Sequence, residues 1–563
     1  MESTHVLIAG AGPVGMTLAA TLARFGIRST IVEQNSTTTA HPKMDITNAR
    51  SMEIFKALGL AEKLRAVAVP EDHCFDVSWV TQLNGEELAR FAYPSVVEHR
   101  ALNRAINDGS RPAESPMRVS QVEIEPVLRN HLEASPLVDV RFGVEFGSFA
   151  QDADGVTTTL RDRATGLVSQ IRSTYLVGCD GGSSKVRSGL GIGLSGEART
   201  MQRFMVHFRS PRRDLLMRWG RAWHYQSAFG TLIAQNDHDI WTLHARFPQG
   251  QKIETFDASE LITQFVGEAI EHEVLVSNPW TPHLLVADSY GKGRVWLAGD
   301  AAHQYIPTGG YGMNTGVGDA FDLGWKLAAM VTGIGGAGLV RSYEEERRPV
   351  GLRNCAASRR HNDVRIRNAA LYDAELFAQD EAGAEARRVA GEQIAARGNL
   401  ENESWGIELG YAYGASSIVA HEADAEWVDD PLHYRPSTTP GVRLPNVILP
   451  DGSNVFDALG PWFTLLVTHG AEVGLLEKAA TARGVPLKIL HLGAPDLAPV
   501  YQAELVLVRP DHHVAWRGVS PNSASQAVAV FDLALGWLSP ASSAAQPSIH
   551  GDSTTMLAFN SAE

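Results

Sequence analysis

Gly10, Gly12 and Gly15 follow a short apolar run, residues 6–9, at G-x-G-x-x-G spacing, and Glu33 stands 18 residues beyond the last of them. Glycines so spaced let a chain turn tightly and bring its amides against a pyrophosphate, while the free N–H groups of the next helix face the anion. An acid at the end of a second strand accepts a ribose hydroxyl. Residues 6–9 read as strand, 16–25 as helix and 29–32 as a second strand. Gly10, Gly12, Pro13, Val14, Gly15, Glu33 and Gln34 therefore form the adenosine half of a dinucleotide site.

A second group lies far along the chain. Gly299 and Asp300 end an apolar strand over 294–298, and the glycine-rich stretch 307–314 leads into a helix over 315–330. An aspartate at a strand's end, one turn before such a helix, can accept a ribityl hydroxyl while the helix dipole faces a pyrophosphate or ring. Between the two groups, a strand over 175–179 ends in Asp180-Gly181. Aspartate also favours helix caps at such junctions, but the glycine loops beside Asp180 and Asp300 set cofactor binding ahead of capping.

Taken together, these segments resemble the FAD-dependent aromatic hydroxylases, the single-component flavoprotein monooxygenases that include para-hydroxybenzoate and phenol hydroxylases. The resemblance implies that Glu33 and the first glycines bind the ADP moiety. Asp180 and Gly181 would serve the pyrophosphates of FAD and NAD(P)H, and Gly299 and Asp300 the ribityl chain. It further implies that Arg118 and Gln121 open a helix, over 121–132, beside the FAD phosphates. The loop 41–46 would lie under the flavin, with Lys43 where an arginine is common; lysine keeps the charge but loses the bidentate fork. Gly310 and the amides of Gly312, Met313 and Asn314 would border the flavin, and the Pro307 carbonyl the substrate hydroxyl. The implied activity is NAD(P)H-dependent insertion of one atom of O2 into a phenolic or related aromatic substrate through a flavin C4a-hydroperoxide, with NADPH or NADH as reductant. Baeyer–Villiger insertion, polyketide tailoring and oxygen-independent flavin reduction remain alternatives.

The elements that must position these groups predict an α/β chain. A Rossmann-like FAD-binding domain is expected over 1–75, 100–190 and 285–375, interrupted by a substrate-binding antiparallel sheet over 76–99 and 191–284. Strands over 202–209, 222–226, 230–235 and 240–246 would form this roof above the flavin. A solvent-facing helical linker would follow over 376–430, then a thioredoxin-like domain over 431–540 and a disordered tail over 541–563. No cysteine lies beyond Cys355, so that last domain lacks redox chemistry and would serve structure, including homodimerisation. The charged run 341–349 reads as a solvated helix face with salt bridges.

Alternation in the roof makes either His224 or Tyr225 a candidate catalytic base, because neighbours on a strand face opposite ways. His244 shares a face with Thr242 and Arg246. Trp223, Trp241 and His244 are candidate substrate contacts, the tryptophans also suiting core packing. His303 reads as a packed residue. With few lysines, the roof makes no strong demand for a carboxylate anchor; Arg203, Arg209, Arg221 and Arg246 remain possible ones, and neutral phenols stand ahead of hydroxybenzoates.

Composition agrees with a globular enzyme. The 563 residues are 44% hydrophobic and 20% charged, ordinary values for a folded chain too long for one core. A net charge of −15 argues against nucleic-acid or anionic-membrane partners. Three scattered cysteines without a Cys/His cluster suggest no disulfide framework and no metal centre. The absence of a signal-like or spanning apolar run points to a cytoplasmic protein.

Overall fold

The computed structural model describes residues 1–538 apart from 43, 199–201, 237, 247–255, 424–426, 469 and 494–496. The expectations for Lys43 and for the tail over 541–563 lie outside the described residues.

Five parallel strands organise a mixed α/β fold, in the order Val138–Phe142, Ser29–Glu33, Glu2–Ala9, Val168–Gly178 and Val295–Leu297. Such a sheet is covered on both faces, so its central strands are continuous apolar runs rather than alternating ones. Val6, Leu7, Ile8, Leu176 and Val177 are all fully buried. Helices Pro13–Arg24 and Tyr311–Thr332 pack against each other beside it. Register then decides the site. Ala9 lies beside both Val32 and Gly178, and Gly178 beside Leu297. The segments that follow these strands, with Gly10, Glu33, Asp180 and Asp300, therefore leave the sheet along one carboxyl-end edge, where open parallel sheets bind ligands.

The roof is a seven-stranded sheet in the order Glu273–Trp280, Arg203–Arg209, Ile240–Arg246, Gly230–Ala234, His224–Ser227, Val77–Val80 and Glu87–Phe91. It is not wholly antiparallel as expected: His224–Ser227 pairs parallel with Val77–Val80, because the chain enters the roof twice and the two visits join side by side. Strand Glu273–Trp280 escaped the sequence reading despite its alternating Val274 and Val276. The upper face of the roof is sealed by helix Ala258–Val266 over Phe204, Val206, Phe208, Tyr225, Trp241 and Leu243.

The carboxyl-terminal sheet runs Leu487–His491, Phe463–Val467, Leu505–Val508, Val514–Gly518, parallel at the first pairing and antiparallel at the others. It is no loose appendage. Phe463 meets Trp325 edge-on at 5.9 Å, and one apolar cluster runs from the first sheet through helix Tyr311–Thr332 into Leu465, Val467 and Phe531. Burying each such side chain contributes roughly 1.5–3 kcal/mol. Helix Glu381–Arg397 was expected to face solvent, yet Gly391 packs on the Leu88 backbone and Ile394 is fully buried, so it backs the outermost roof strand. No helix among the described residues is long and apolar enough to cross a membrane.

Candidate active site

A single cavity of about 1000 Å³ runs along the carboxyl-end edge of the parallel sheet and under the roof. Gly10, Gly12, Pro13, Val14, Glu33 and Gln34 line one end. Gly10 sits at φ +102°, and a Cβ there would lie 2.3 Å from the Cys179 carbonyl oxygen. Gly15 lies beneath the lining: a Cβ on it would meet the Gly10 carbonyl at 2.1 Å, so its smallness serves helix–strand packing. Glu33 accepts the Ala11 N–H at 3.1 Å and the Asn35 side chain at 2.7 Å, which fixes its carboxylate beside the glycine turn.

Farther in, Asp180, Gly181, Asp300, Pro307, Gly310, Gly312 and Met313 line the cavity. Asp180 also caps: its carboxylate accepts the Ser184 hydroxyl at 2.5 Å and the Lys185 and Val186 amides at 2.7 and 3.1 Å. The Pro307 carbonyl accepts the Gly310 N–H at 2.9 Å, closing a turn before helix Tyr311–Thr332. Gln121 lines the wall and donates to Glu125, which accepts the Thr39 amide.

Three further expected cofactor residues stand one layer back. The Gly299 amide donates to Asp319 at 3.2 Å, and Asn314 donates to the Ile46 and Gly310 carbonyls while accepting the Asn48 amide. Arg118 is buried and donates to the Ala234 carbonyl of the roof, so it joins sheet to roof instead of reaching the cavity.

Asp319 is a hub that spacing did not reveal. Fully buried, it accepts His303 Nε2 and Arg347 Nε, both at 2.8 Å. Burial opposes its charge, but Arg347 and then His303 hold its carboxyl below the usual range. The reading of residues 341–349 as a solvated face is thereby corrected. Arg347 is 2% exposed and Glu346 1%, because this turn of helix Ser342–Ala369 faces the Gly299–Asp300 loop and the carboxyl-terminal unit.

Under the roof, Trp223, His224 and His244 line the cavity, as do Arg203, Met205, Ile233, Arg246 and Trp280. Tyr225 and Trp241 do not, and their expected roles are corrected. Strand alternation turns both into the upper core, where the Tyr225 hydroxyl donates to the Gly220 carbonyl at 2.5 Å. His224 stacks on Trp223 at 4.0 Å, and its Nε2 is 3.9 Å from the Asp45 carboxylate, which also accepts the Trp223 N–H. Neither His224 nitrogen has a hydrogen-bond partner. Burial, then nearby Arg365, pulls its pKa well below 6.5, and burial raises that of Asp45. Both effects favour the neutral imidazole over the imidazolium. Asp45 and Arg365 were missed, the first because it lies within the loop 41–46, read only as flavin floor, the second because helix Ser342–Ala369 shows almost no amphipathic pattern.

Residues 3–358 match the family described as FAD binding domain, and 437–538 that of aromatic-ring hydroxylase, C-terminal. The FAD-dependent monooxygenase apdD of Emericella nidulans is 38% identical over 565 residues, covering 94% of this chain and 90% of its own. Phenol 2-monooxygenase of a Pseudomonas species is 28% identical over 95% of this chain and 93% of its own. Among solved structures, RebC with bound 7-carboxy-K252c superposes with a TM-score of 0.85 at 34% identity, over 95% of this chain and 99% of that one. On this footing, the chain belongs to the FAD-dependent aromatic-ring hydroxylases and is a flavin monooxygenase with FAD as its cofactor.

Proposed function

We propose that the protein is an NAD(P)H-dependent hydroxylase that inserts one atom of O2 into a phenolic or related aromatic substrate held under the roof. The observation that carries this reading is the continuity of the cavity: one chamber is lined by the dinucleotide edge, by Pro307–Met313 and by aromatic and imidazole side chains of the roof. Its residues fit FAD. The Gly10 turn leaves room where any side chain would collide, Glu33 and Gln34 border one end, and Asp300 stands farther along the same wall. Bound FAD would take electrons from NAD(P)H and supply the activated oxygen.

The chain's own residues orient and deprotonate the substrate. With Nε2–H turned toward Asp45, His224 Nδ1 accepts the proton of a substrate hydroxyl, and Asp45 stabilises the resulting imidazolium. Trp223, stacked on His224 and hydrogen-bonded to Asp45, holds the pair in place. His224 is itself buried, at 7% exposure, which keeps this transfer away from bulk water.

We read the five-stranded unit as Rossmann-like and the carboxyl-terminal sheet as thioredoxin-like without redox cysteines. We divide the chain at 1–75, 100–190 and 285–375, then 76–99 and 191–284, then 431–540, a division supported by the separate parallel, roof and carboxyl-terminal sheets but crossed by strand Leu194–Glu197, which pairs with Leu284–Ala287.

NADH and NADPH oxidation by the purified FAD-loaded protein, measured against phenols, hydroxybenzoates and polycyclic phenols with product mass recorded, tests the reading. A substrate-stimulated rate with a gain of one oxygen atom is expected; rapid oxidation giving only hydrogen peroxide across the panel would count against it. His224→Gln is expected to lower kcat/KM by roughly 100-fold while FAD content stays unchanged. Because the folded pKa of His224 is depressed, the wild-type profile should show no inflection near pH 6.5 from this group. A limb at that pH, absent in His224→Gln, would refute the assignment.

A further inference from the structure

Positive charge is concentrated beneath the roof with little to answer it. Arg203 and Arg246 are direct cross-strand partners, and both line the cavity with Arg365 from helix Ser342–Ala369. Like charges directly opposite on neighbouring strands repel. Burial, then the neighbouring guanidinium charges, pulls Arg246 down to about 9 and Arg203 to about 10. Glu401 is already committed, with Oε1 at 2.7 Å from Arg365 Nη2 and 2.8 Å from its Nε. Among the described residues no carboxylate forms an ion pair with Arg203 or Arg246. Among the described residues their side-chain hydrogen bonds are long ones to backbone carbonyls, 3.3 Å to Gln202 and 3.5 Å to Arg365. On the same face the Trp280 indole N–H and His244 Nδ1 are buried without partners. The other arginines of the roof differ: Arg209 pairs with Glu273 at 2.8 Å and lies outside the cavity.

We propose that the aromatic substrate carries an acidic group, in its simplest form a carboxylate, and that Arg203 and Arg246 seat this oxyanion beneath the roof. The proposal rests on the reading that an aromatic substrate occupies the cavity. An oxyanion between the two guanidiniums replaces repulsion with two charge-assisted contacts, and the planar forks match a carboxylate's geometry. It reverses the expectation that neutral phenols come first: the scarcity of lysine is irrelevant where arginines supply the charge. The phosphates of NAD(P)H offer the same oxyanion chemistry, so the test must separate the two.

The oxidised holoenzyme is titrated with 1-hydroxy-2-naphthoate and with 1-hydroxy-2-naphthamide, its neutral counterpart, following the flavin absorbance. Wild type is expected to bind the acid at least about tenfold more tightly than the amide. Arg203→Gln and Arg246→Gln should each erode that preference and the double variant erase it, with amide affinity and FAD content unchanged. Arg246→Lys should keep part of it. Equal binding of acid and amide by wild type, no binding of the acid, or a preference surviving in the double variant would overturn the proposal. So would an effect confined to the KM for NADH or NADPH, which would assign the arginines to the nicotinamide cofactor. Because binding is read without turnover, an acid bound selectively but never oxygenated would sink the hydroxylase reading and leave the anion seat standing.

Discussion

Gly10→Val is expected to yield protein that purifies colourless. At φ +102° a β-branched residue is strained by roughly 1–2 kcal/mol or more. The larger effect is steric, since the new Cβ would lie 2.3 Å from the Cys179 carbonyl oxygen and 2.7 Å from its carbon. Neither backbone can step aside cheaply. Gly10 N–H donates to Val32 and Cys179 N–H to Ala9, each at 2.8 Å, which pins both segments within the parallel sheet. Relief requires moving the turn itself, and that turn heads the helix whose amino end borders the cavity. A loss of FAD affinity of at least about 100-fold is expected. The measurement is flavin absorbance per protein after gel filtration, with circular dichroism to verify the fold. Stoichiometric FAD with an unchanged spectrum would show that the turn does not hold the cofactor.

Arg509→Met is expected to give the largest loss of stability among single substitutions away from the cavity. Arg509 belongs to the carboxyl-terminal unit, yet its guanidinium reaches Glu346 at 2.6 Å, Asp322 at 3.0 Å and Asp511 at 2.6 Å. Lys326 supplies the second cation, 2.5 Å from Glu346 and 2.9 Å from Asp322. Three carboxylates this close would suit a metal ion, but the two cations make the group an ion-pair network. Removing one leaves buried carboxylates uncompensated, which costs about 3–5 kcal/mol. A fall in Tm on the order of 3–4 °C follows for a chain of 563 residues. Arg509→Met combined with Asp511→Asn should recover part of it, since one uncompensated charge is removed. A Tm within about 1 °C of wild type would mean the network contributes nothing net. The network also sets acid sensitivity. Burial opposes the charge on Glu346, but Arg509 and Lys326 hold its carboxyl down to about 2. An unfolded glutamate titrates at about 4.3. The stabilisation is therefore fully present above that pH and is lost as pH falls toward 2.

This network shows where the sequence stops speaking. Residues 341–349 look like a solvated helix because six of nine side chains are charged, and composition contains no sign of the partner. The answering cation, Arg509, lies some 160 positions away and meets Glu346 only once the carboxyl-terminal sheet is docked, with Asp511 bound to the same guanidinium.

The dinucleotide edge and, through its resemblance, the flavin monooxygenase family are legible in the linear chain. Glycine spacing and acids at strand ends act locally, so a linear motif carries them. The face each roof side chain takes depends instead on packing. Alternation left His224 and Tyr225 as equal candidates, and helix Ala258–Val266 settles the matter by covering the side that holds Tyr225 and Trp241. The same is true of Arg203, Arg246 and Arg365, ordinary charges in sequence whose convergence beneath one roof depends on strand register and on a helix from another part of the chain. Charge and orientation at a site arise from which segments meet, and that meeting is a property of packing rather than of any local pattern.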